Sequence, residues 1–271
     1  MSVASALICC LAYGAGGVIT VPVPPSMTNG TVTPDGAHAG LSLDAGVCGS
    51  AVGGDGGEAG TRHTGGEGTA VAETGYWAGA AGAVLFVLVF LVDGGTRPGY
   101  SPIRHPVSAL ALGRRGWIQS ANFVVTGMAV TAGAITMATS GQAVLLGAAV
   151  AVFGLGLVAS GIFRMDPMRG YPPGTPEKDP AVFSARHRMH DLAGAVVFLA
   201  LPAAAAVAAF MLPGLAWRLG SGLLAVGLLI GFGLFGTAWE EDSPRTGALQ
   251  RALIVPGWLW LAGVFVQYAR A

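Results

Sequence analysis

The sequence predicts an all-α polytopic membrane protein with six transmembrane helices in a bundle, preceded by a disordered, Gly-rich N-terminal tail. Hydrophobic residues make up 53% of the 271-residue chain, charged residues only 10%, and the mean hydropathy is +0.63. A soluble globule of this composition would have too little polar surface to cover its core. The apolar residues also fall in runs of about 20, which cross a hydrocarbon slab of about 30 Å at about 1.5 Å per residue.

Six such runs follow residue 75, and none carries an Asp, Glu, Lys, Arg or His well inside it. Their predicted bounds are Tyr76–Val92, Trp117–Ala138, Ala143–Phe163, Leu192–Leu212, Leu219–Trp239 and Leu249–Tyr268. Long charged loops follow the first, third and fifth spans, whereas short connections follow the second and fourth. Because successive spans cross the membrane in opposite directions, all three charged loops are expected at one face.

The chain is predicted to have two units, residues 1–75 and the six-helix transmembrane domain 76–271. The first unit contains seventeen glycines and one basic residue. It cannot bury enough apolar area to offset the entropy of ordering, so we expect it to be disordered. Its apolar stretch Val3–Ile19 is similar to a signal-peptide core but lacks the positive flank of such peptides. The alternative is a mis-set start, with translation beginning near Val71.

Composition also limits the partners and cofactors. The net charge is zero, which gives no basis for nucleic-acid binding, so the expected partner is the lipid bilayer. All three cysteines lie within the first 50 residues, so we expect no disulfide or thiolate–metal framework in the apolar part. The lack of ionisable residues in mid-span argues against an ion or proton transporter. The Arg, Gly and Ala bias suggests a GC-rich bacterial genome, and the expected location is the plasma membrane. The sequence identifies no cofactor and no oligomeric state.

Three polar clusters converge on the face that carries the charged loops. They are Tyr100–Ser108 before the second span, Arg164–Pro167 after the third, and Ser184–Asp191 at the start of the fourth. Ser184 is a candidate helix N-cap. In a helix that begins there, residues three and four apart share one side, which would group His187, His190, Asp191 and Gly194. Gly194 would then let a neighbouring helix approach closely.

These residue types support two kinds of chemistry. His105 and Ser108 would share a face of a helical turn and could form an activated nucleophile, with Asp166 or Asp191 orienting the base. The candidate catalytic residues are Ser108, Asp166 and His190. Histidines with carboxylates are equally the minimum of a zinc hydrolase site, and the candidate metal ligands are His105, His187 and His190. Neither spacing matches a specific motif such as HExxH.

Two interpretations without catalysis stand beside these. In one, Arg104, Arg164 and Arg186 form ion pairs with Asp166 and Asp191 that only close the loops at the membrane surface. In the other, the cluster binds a lipid headgroup or a small polar ligand. The contacts would be Arg104, His105, His187 and Asp191. The catalytic alternative is a membrane-interface hydrolase or transferase that acts on a lipid and depends on a metal or on Ser/His.

Six stretches form a specific set in this order: Leu85–Asp93, Arg97–Leu110, Gly161–Asp166, Tyr171–Pro176, His190–Gly194 and Gly247–Arg251. Together they resemble the bacterial membrane family called domain of unknown function 998, over about residues 76–270. The resemblance implies six helices and no established activity. The signature polar positions that it implies are Arg104, His105, Ser108, Asp166, His190, Asp191 and Arg251, so Arg251 joins the candidate ligand contacts. The chain departs from the family's Phe-Pro-Thr-Asp at Phe163-Arg-Met-Asp166.

Two arguments give opposite orientations for the charged loops. Together with Arg251 at the start of the sixth span, these loops contain eleven Lys or Arg residues, which by the positive-inside rule places them in the cytoplasm. The resemblance implies the reverse, with both termini inside, because relatives tend to begin with a short basic segment. A reporter fused to the C-terminus separates the two assignments.

Overall fold

The computed structural model describes residues 64–271, with side chains from Ala70 onward. This part of the chain is helical and contains no strand. The six long helices are α1 Thr64–Thr96, α2 Gly116–Thr139, α3 Val144–Ile162, α4 Ala185–Met211, α5 Leu215–Glu240 and α6 Thr246–Ala269. A short 3₁₀-helix, Val107–Ala111, lies in the loop between α1 and α2.

All six helices are long and apolar enough to cross a membrane, so the predicted fold class of a multi-pass membrane protein is confirmed. The largest differences from the predicted bounds are at two helix starts. Helix α4 begins at Ala185 rather than Leu192, because its polar first turns are capped by Ser184. Helix α1 begins at Thr64, so residues 64–75, which were predicted as part of the disordered tail, are helical. The remaining tail, 1–63, with the candidate signal-peptide core, lies outside the described residues.

The helices form a closed ring. Each helix packs against the next along the chain, and α6 returns to pack against α1. Glycines allow the closest approaches: a Cβ at Gly147 would lie 2.7 Å from the Ala134 carbonyl oxygen, and one at Gly127 would lie 2.8 Å from the Gly154 carbonyl oxygen. Such close packing of small residues holds helices together in lipid, where water exclusion does not act between them.

The three charged loops meet at one end of the ring, as the alternation of loop lengths predicts. Arg104 of the first loop lies 2.9 Å from Glu177 of the second. Arg169 of the second loop lies 3.7 Å from Asp242 of the third. We call this end, formed by residues 97–115, 163–184 and 241–245, the loop face.

A buried ion pair fastens the first loop to the end of α1. The carboxylate of Asp93 accepts a hydrogen bond from Arg97, and these two residues are 3% and 7% exposed. The Arg97 guanidinium also donates to the carbonyl oxygens of Leu110 at 2.7 Å and Leu112 at 3.0 Å. Arg115 approaches the same carboxylate at 2.6 Å. The loop that carries Ser108 is therefore held rigidly over the end of the bundle.

Candidate functional site

A cavity of about 150 Å³ lies inside the helix ring and ends at the loop face. All six helices contribute to its wall. The apolar part is lined mainly by large side chains, including Phe86, Phe123, Phe198, Leu201, Leu228 and Trp258. The polar end, at the loop face, is lined by Ser108, His187, His190, Asp191, Glu240 and Gln250. The cavity is therefore amphipathic, with its polar groups at the membrane boundary.

The depth of the cavity can be measured along α4, which lines one side of it. On α4 the lining includes His190 near the loop face and Pro202 deep in the bundle. Twelve residues of α-helix rise by about 18 Å. Since the hydrocarbon core of a bilayer is about 30 Å thick, the lining extends over roughly the depth of one leaflet.

Ser184 is the N-cap of α4, as its sequence position predicts. Its Oγ accepts a hydrogen bond from the backbone N–H of His187 at 3.0 Å. The carboxylate of Asp166 in turn accepts from the Ser184 N–H and from its Oγ, each at 2.7 Å. Asp166, a candidate catalytic residue, therefore points its carboxylate at the helix cap. The predicted side of α4 is confirmed, because His187, His190, Asp191 and Gly194 all line the cavity.

The expectation that Gly194 admits a neighbouring helix is wrong. A Cβ at Gly194 would meet no atom within 4 Å, because this glycine opens onto the cavity. The close approach between α3 and α4 occurs instead at Gly156, where a Cβ would lie 3.1 Å from the side chain of Val197. Gly194 thus adds open space to the cavity rather than a contact between helices.

Both ring nitrogens of His187 are engaged. Its Nδ1 accepts the backbone N–H of Asp166 at 2.9 Å, so the neutral ring carries its proton on Nε2. That nitrogen lies 3.4 Å from Oδ2 of Asp191. The ring of Phe183 stacks on the imidazole with 4.4 Å between centroids. His187 is thus fixed in place and directs Nε2–H at the Asp191 carboxylate.

His190 has the opposite tautomer and keeps a lone pair. Its Nδ1 lies 2.7 Å from the carbonyl oxygen of Phe163 and 3.3 Å from that of Ser160. Because carbonyl oxygens only accept, Nδ1 must be the donor, and Nε2 of the neutral ring is an acceptor. Among the described residues Nε2 has no hydrogen-bond partner, although His190 is only 8% exposed. A backbone carbonyl that fixes the tautomer in this way prepares the other nitrogen to accept a proton or bind a metal.

The structure separates His105 from Ser108, so the prediction that they share a helical face is wrong. Pro106 between them is extended (φ −67°, ψ 158°), and the helical turn begins only at Val107. The His105 Nδ1 accepts the backbone N–H of Ser101 at 3.0 Å, and its ring lies 4.9 Å from that of Tyr171, measured between centroids. Burial, with a smaller effect of the Arg104 charge, lowers the pKa of His105. Ser108 faces the amphipathic cavity, with its Oγ 3.4 Å from Sδ of Met165.

Arg251 clamps the first loop onto α6. Its guanidinium donates to the carbonyl oxygens of Pro102 at 2.6 Å and His105 at 3.0 Å, and also to the Tyr100 hydroxyl. Burial raises the pKa of Tyr100 to about 12, although Arg251 opposes the shift. The phenol therefore stays protonated and donates to the Pro106 carbonyl at 2.9 Å. These contacts explain Arg251 as a residue that holds the first loop in place. The exposed ion pair of Arg104 with Glu177 adds little stability.

The three candidate metal ligands are not brought together. Over residues 64–271 no group of three or more His, Cys, Asp or Glu side chains is placed to hold a metal ion. His105 borders a separate cavity of about 20 Å³. Three residues line both cavities and divide them: Pro106, Met165 and Trp239. The polar cluster predicted from the sequence is therefore two groups, one around His105 and Arg251 and the other around His187, His190 and Asp191.

The family profile described as "Protein of unknown function (DUF998)" matches residues 80–267. The chain belongs to this family. The DUF998 region includes the parts of all six helices that line the cavity, and both polar groups of the loop face. No curated protein and no solved structure matches the chain. The match to the DUF998 profile confirms the resemblance inferred from the motifs.

Two residues at the polar end of the cavity were not in the predicted set. Glu240 ends α5 beside the loop face, and Gln250 lies one turn into α6, where its side-chain oxygen accepts the Val107 N–H at 2.7 Å. A signal for Gln250 does exist in the sequence. Gln250, Leu253, Ile254 and Trp258 follow the spacing of one helix face, and all four line the cavity.

Proposed function

We propose that this multi-pass protein binds an amphipathic ligand, with the apolar part in the central cavity and the polar end at the loop face. The observation that carries the proposal is a deep apolar cavity that ends in a small set of oriented polar groups. Ligand sites generally combine a predominantly apolar lining with a few placed polar groups. A leaflet-deep lining fits part of one alkyl chain, and because the cavity is only partly enclosed, the rest of a membrane lipid would lie outside it. The plasma membrane is the location we propose.

Filling the cavity from Gly194 tests the proposal. A cavity of about 150 Å³ holds one benzene ring, so the side chain in Gly194→Phe is expected to occupy the space that the ligand needs. We expect the wild-type protein, purified in a mild detergent, to keep a lipid-sized adduct in native mass spectrometry. The Gly194→Phe variant should lose at least about nine-tenths of that adduct, since the substitution removes a site rather than weakening one contact.

The matched control is Gly227→Phe. A Cβ at Gly227 in α5 would also meet no atom within 4 Å, but this glycine is exposed and does not line the cavity. Gly227→Phe should keep the adduct. If the wild-type protein and both variants keep equal amounts of the lipid adduct and melt at the same temperature, the proposal is wrong.

A second candidate function is hydrolysis or group transfer on a bound lipid. It is favoured by one observation: Ser108 and His190 line the same cavity, and within the described part of the chain Nε2 of His190 has no hydrogen-bond partner. Ser108 would be the nucleophile and His190 the base, oriented by the Phe163 carbonyl rather than by Asp166. An alkyl fluorophosphonate should then label the protein at Ser108, and Ser108→Ala should abolish the label. No labelling of the folded wild-type protein would eliminate the serine-dependent form of this function.

A further inference from the structure

We propose that the edge of the loop face where α3 ends and α4 begins binds the headgroup of an anionic phospholipid. Two arginines mark this edge. Arg164 is the second residue after α3, and Arg186 is the second residue of α4. Within the described residues, neither side chain makes a hydrogen bond or an ion pair. The site is separate from the amphipathic cavity, whose lining includes neither arginine.

Contacts of neighbouring residues bring the two arginines to the same edge. The His190 ring binds the carbonyl oxygen of Phe163 at 2.7 Å, which holds the residue before Arg164 against the second turn of α4. Arg186 lies four residues before His190, so both belong to the same side of that helix. Arg186 is therefore placed one helical turn, a rise of about 6 Å, above the contact with Phe163.

The three carboxylates in the loop between the two arginines are engaged elsewhere. Their partners are an arginine of the first loop, an arginine of the second loop and the cap of α4. The contacts are Glu177 with Arg104 at 2.9 Å, Asp179 with Arg169 at 2.7 Å, and Asp166 with Ser184 at 2.7 Å. Hydrogen bonding to Arg169 lowers the pKa of Asp179, so that pair stays ionised near neutral pH. The ion pairs of Arg164 and Arg186 with Asp166 that the sequence suggested are absent from the described part of the chain.

The surface beside the two arginines faces the lipid. Ile162, Met189 and Leu192 are 59%, 43% and 42% exposed, and they belong to the loop-face ends of two spanning helices. The headgroup layer of a bilayer extends about 5–7 Å beyond the hydrocarbon on each side. Arg164 follows Ile162 by only two residues, and long arginine side chains at the end of a span extend their charge into this layer. The guanidinium groups are therefore at the depth of lipid phosphates.

The charge at this edge favours an anionic lipid over a zwitterionic one. A guanidinium group binds phosphate through paired, charge-assisted hydrogen bonds. The phosphate of phosphatidylcholine is accompanied by a choline cation, which two arginines would repel, whereas phosphatidylglycerol has a net negative charge. Each basic residue near an anionic membrane surface strengthens association by about fivefold. The edge where α5 ends carries three consecutive acidic residues, 240–242, and should not bind an anionic lipid.

The test measures which lipids the protein retains. The full-length protein is placed in nanodiscs with equal amounts of dioleoyl-phosphatidylglycerol and dioleoyl-phosphatidylcholine, and the lipids that stay bound after transfer to detergent are counted by native mass spectrometry. We expect the wild-type protein to retain phosphatidylglycerol at least about fivefold over phosphatidylcholine. The double variant Arg164→Gln with Arg186→Gln should bring this ratio below about twofold. Arg186→Gln alone, at an exposed position, should give an intermediate ratio.

The matched control removes two other cations from the same face of the membrane. Lys178 and Arg245 are exposed, and Lys178→Gln with Arg245→Gln changes the net charge by the same amount. This control should keep the full ratio, as should Gly194→Phe, because the headgroup site lies outside the cavity. An excess of inorganic phosphate should not displace phosphatidylglycerol, since free phosphate lacks the acyl chains that pack beside Ile162 and Leu192.

Four results would overturn the inference. A ratio near one in the folded wild-type protein would do so, and so would an unchanged ratio in the Arg164 and Arg186 double variant. Equal losses in both double variants would show that only the net charge of the loop face matters. Displacement by inorganic phosphate would make the ligand a soluble anion. If Gly194→Phe alone lowers the ratio, the retained phosphatidylglycerol occupies the cavity, which supports the proposed function and overturns a separate headgroup site.

Discussion

Replacing Arg97 with methionine is expected to destabilise the protein by about 3–5 kcal/mol, the usual cost of removing one partner from a buried ion pair. The Asp93 side chain, at 3% exposure, would lose one of its two arginine partners and keep only Arg115 beside it. The carbonyl oxygens of Leu110 and Leu112 would lose their donor as well. Whole proteins are stable by only about 5–15 kcal/mol, so a large fall in the melting temperature in detergent is expected.

Arg114→Met is the control for this prediction. Arg114 lies in the same loop but is exposed, and surface changes of this kind usually alter stability by less than about 0.5 kcal/mol. If Arg97→Met and Arg114→Met melt at the same temperature as the wild type, the buried pair does not anchor the first loop.

Gly247→Ala is expected to have the second large effect. A Cβ at Gly247 would overlap the His105 carbonyl oxygen and lie 2.6 Å from that of Pro102. Both are backbone atoms, and Arg251 binds the same two carbonyls, so the loop cannot move without losing that clamp. We expect a loss of at least about 1–3 kcal/mol, the typical cost of overpacking, measured as a lower melting temperature.

Gly233→Ala is the matched comparison, and its predicted effect has the opposite sign. Gly233 lies inside α5, and a Cβ there would meet no atom within 4 Å. Since alanine is a better helix former than glycine by up to about 1 kcal/mol, this variant should be as stable as the wild type or slightly more stable. A neutral Gly247→Ala would show that the first loop is not packed on α6 as described.

The membrane architecture was predictable because its signals are local. A run of about 20 apolar residues is sufficient to identify a spanning helix, and the alternation of loop lengths is sufficient to place the charged loops together. The N-cap at Ser184 and the shared side of His187, His190 and Asp191 also follow from spacing alone. Helix α4 was predicted too short because a hydropathy pattern omits polar turns that belong to the helix.

The arrangement of the candidate site was only partly predictable, because it depends on contacts between distant parts of the chain. Pro106 turns the backbone so that His105 and Ser108 face different cavities. The residue types around this proline do not predict the directions in which the two side chains point. Asp166 is committed to the cap of α4, eighteen residues later. Arg251 binds carbonyls almost 150 residues before it. The cavity itself arises from the closure of the ring, which no single stretch of sequence encodes.

The most direct test of the central claim is to map where the end of a bound alkyl chain lies. A long-chain alcohol with a photoreactive diazirine at its terminal carbon is added to the protein in nanodiscs, and the crosslinked residues are identified by peptide mass spectrometry. An amphiphile bound in the cavity should label the deep lining at Leu201, Leu228 and Trp258, and Gly194→Phe should remove this labelling. Labelling confined to the outward-facing side chains Leu223 and Ile230, unaffected by Gly194→Phe, would contradict the account.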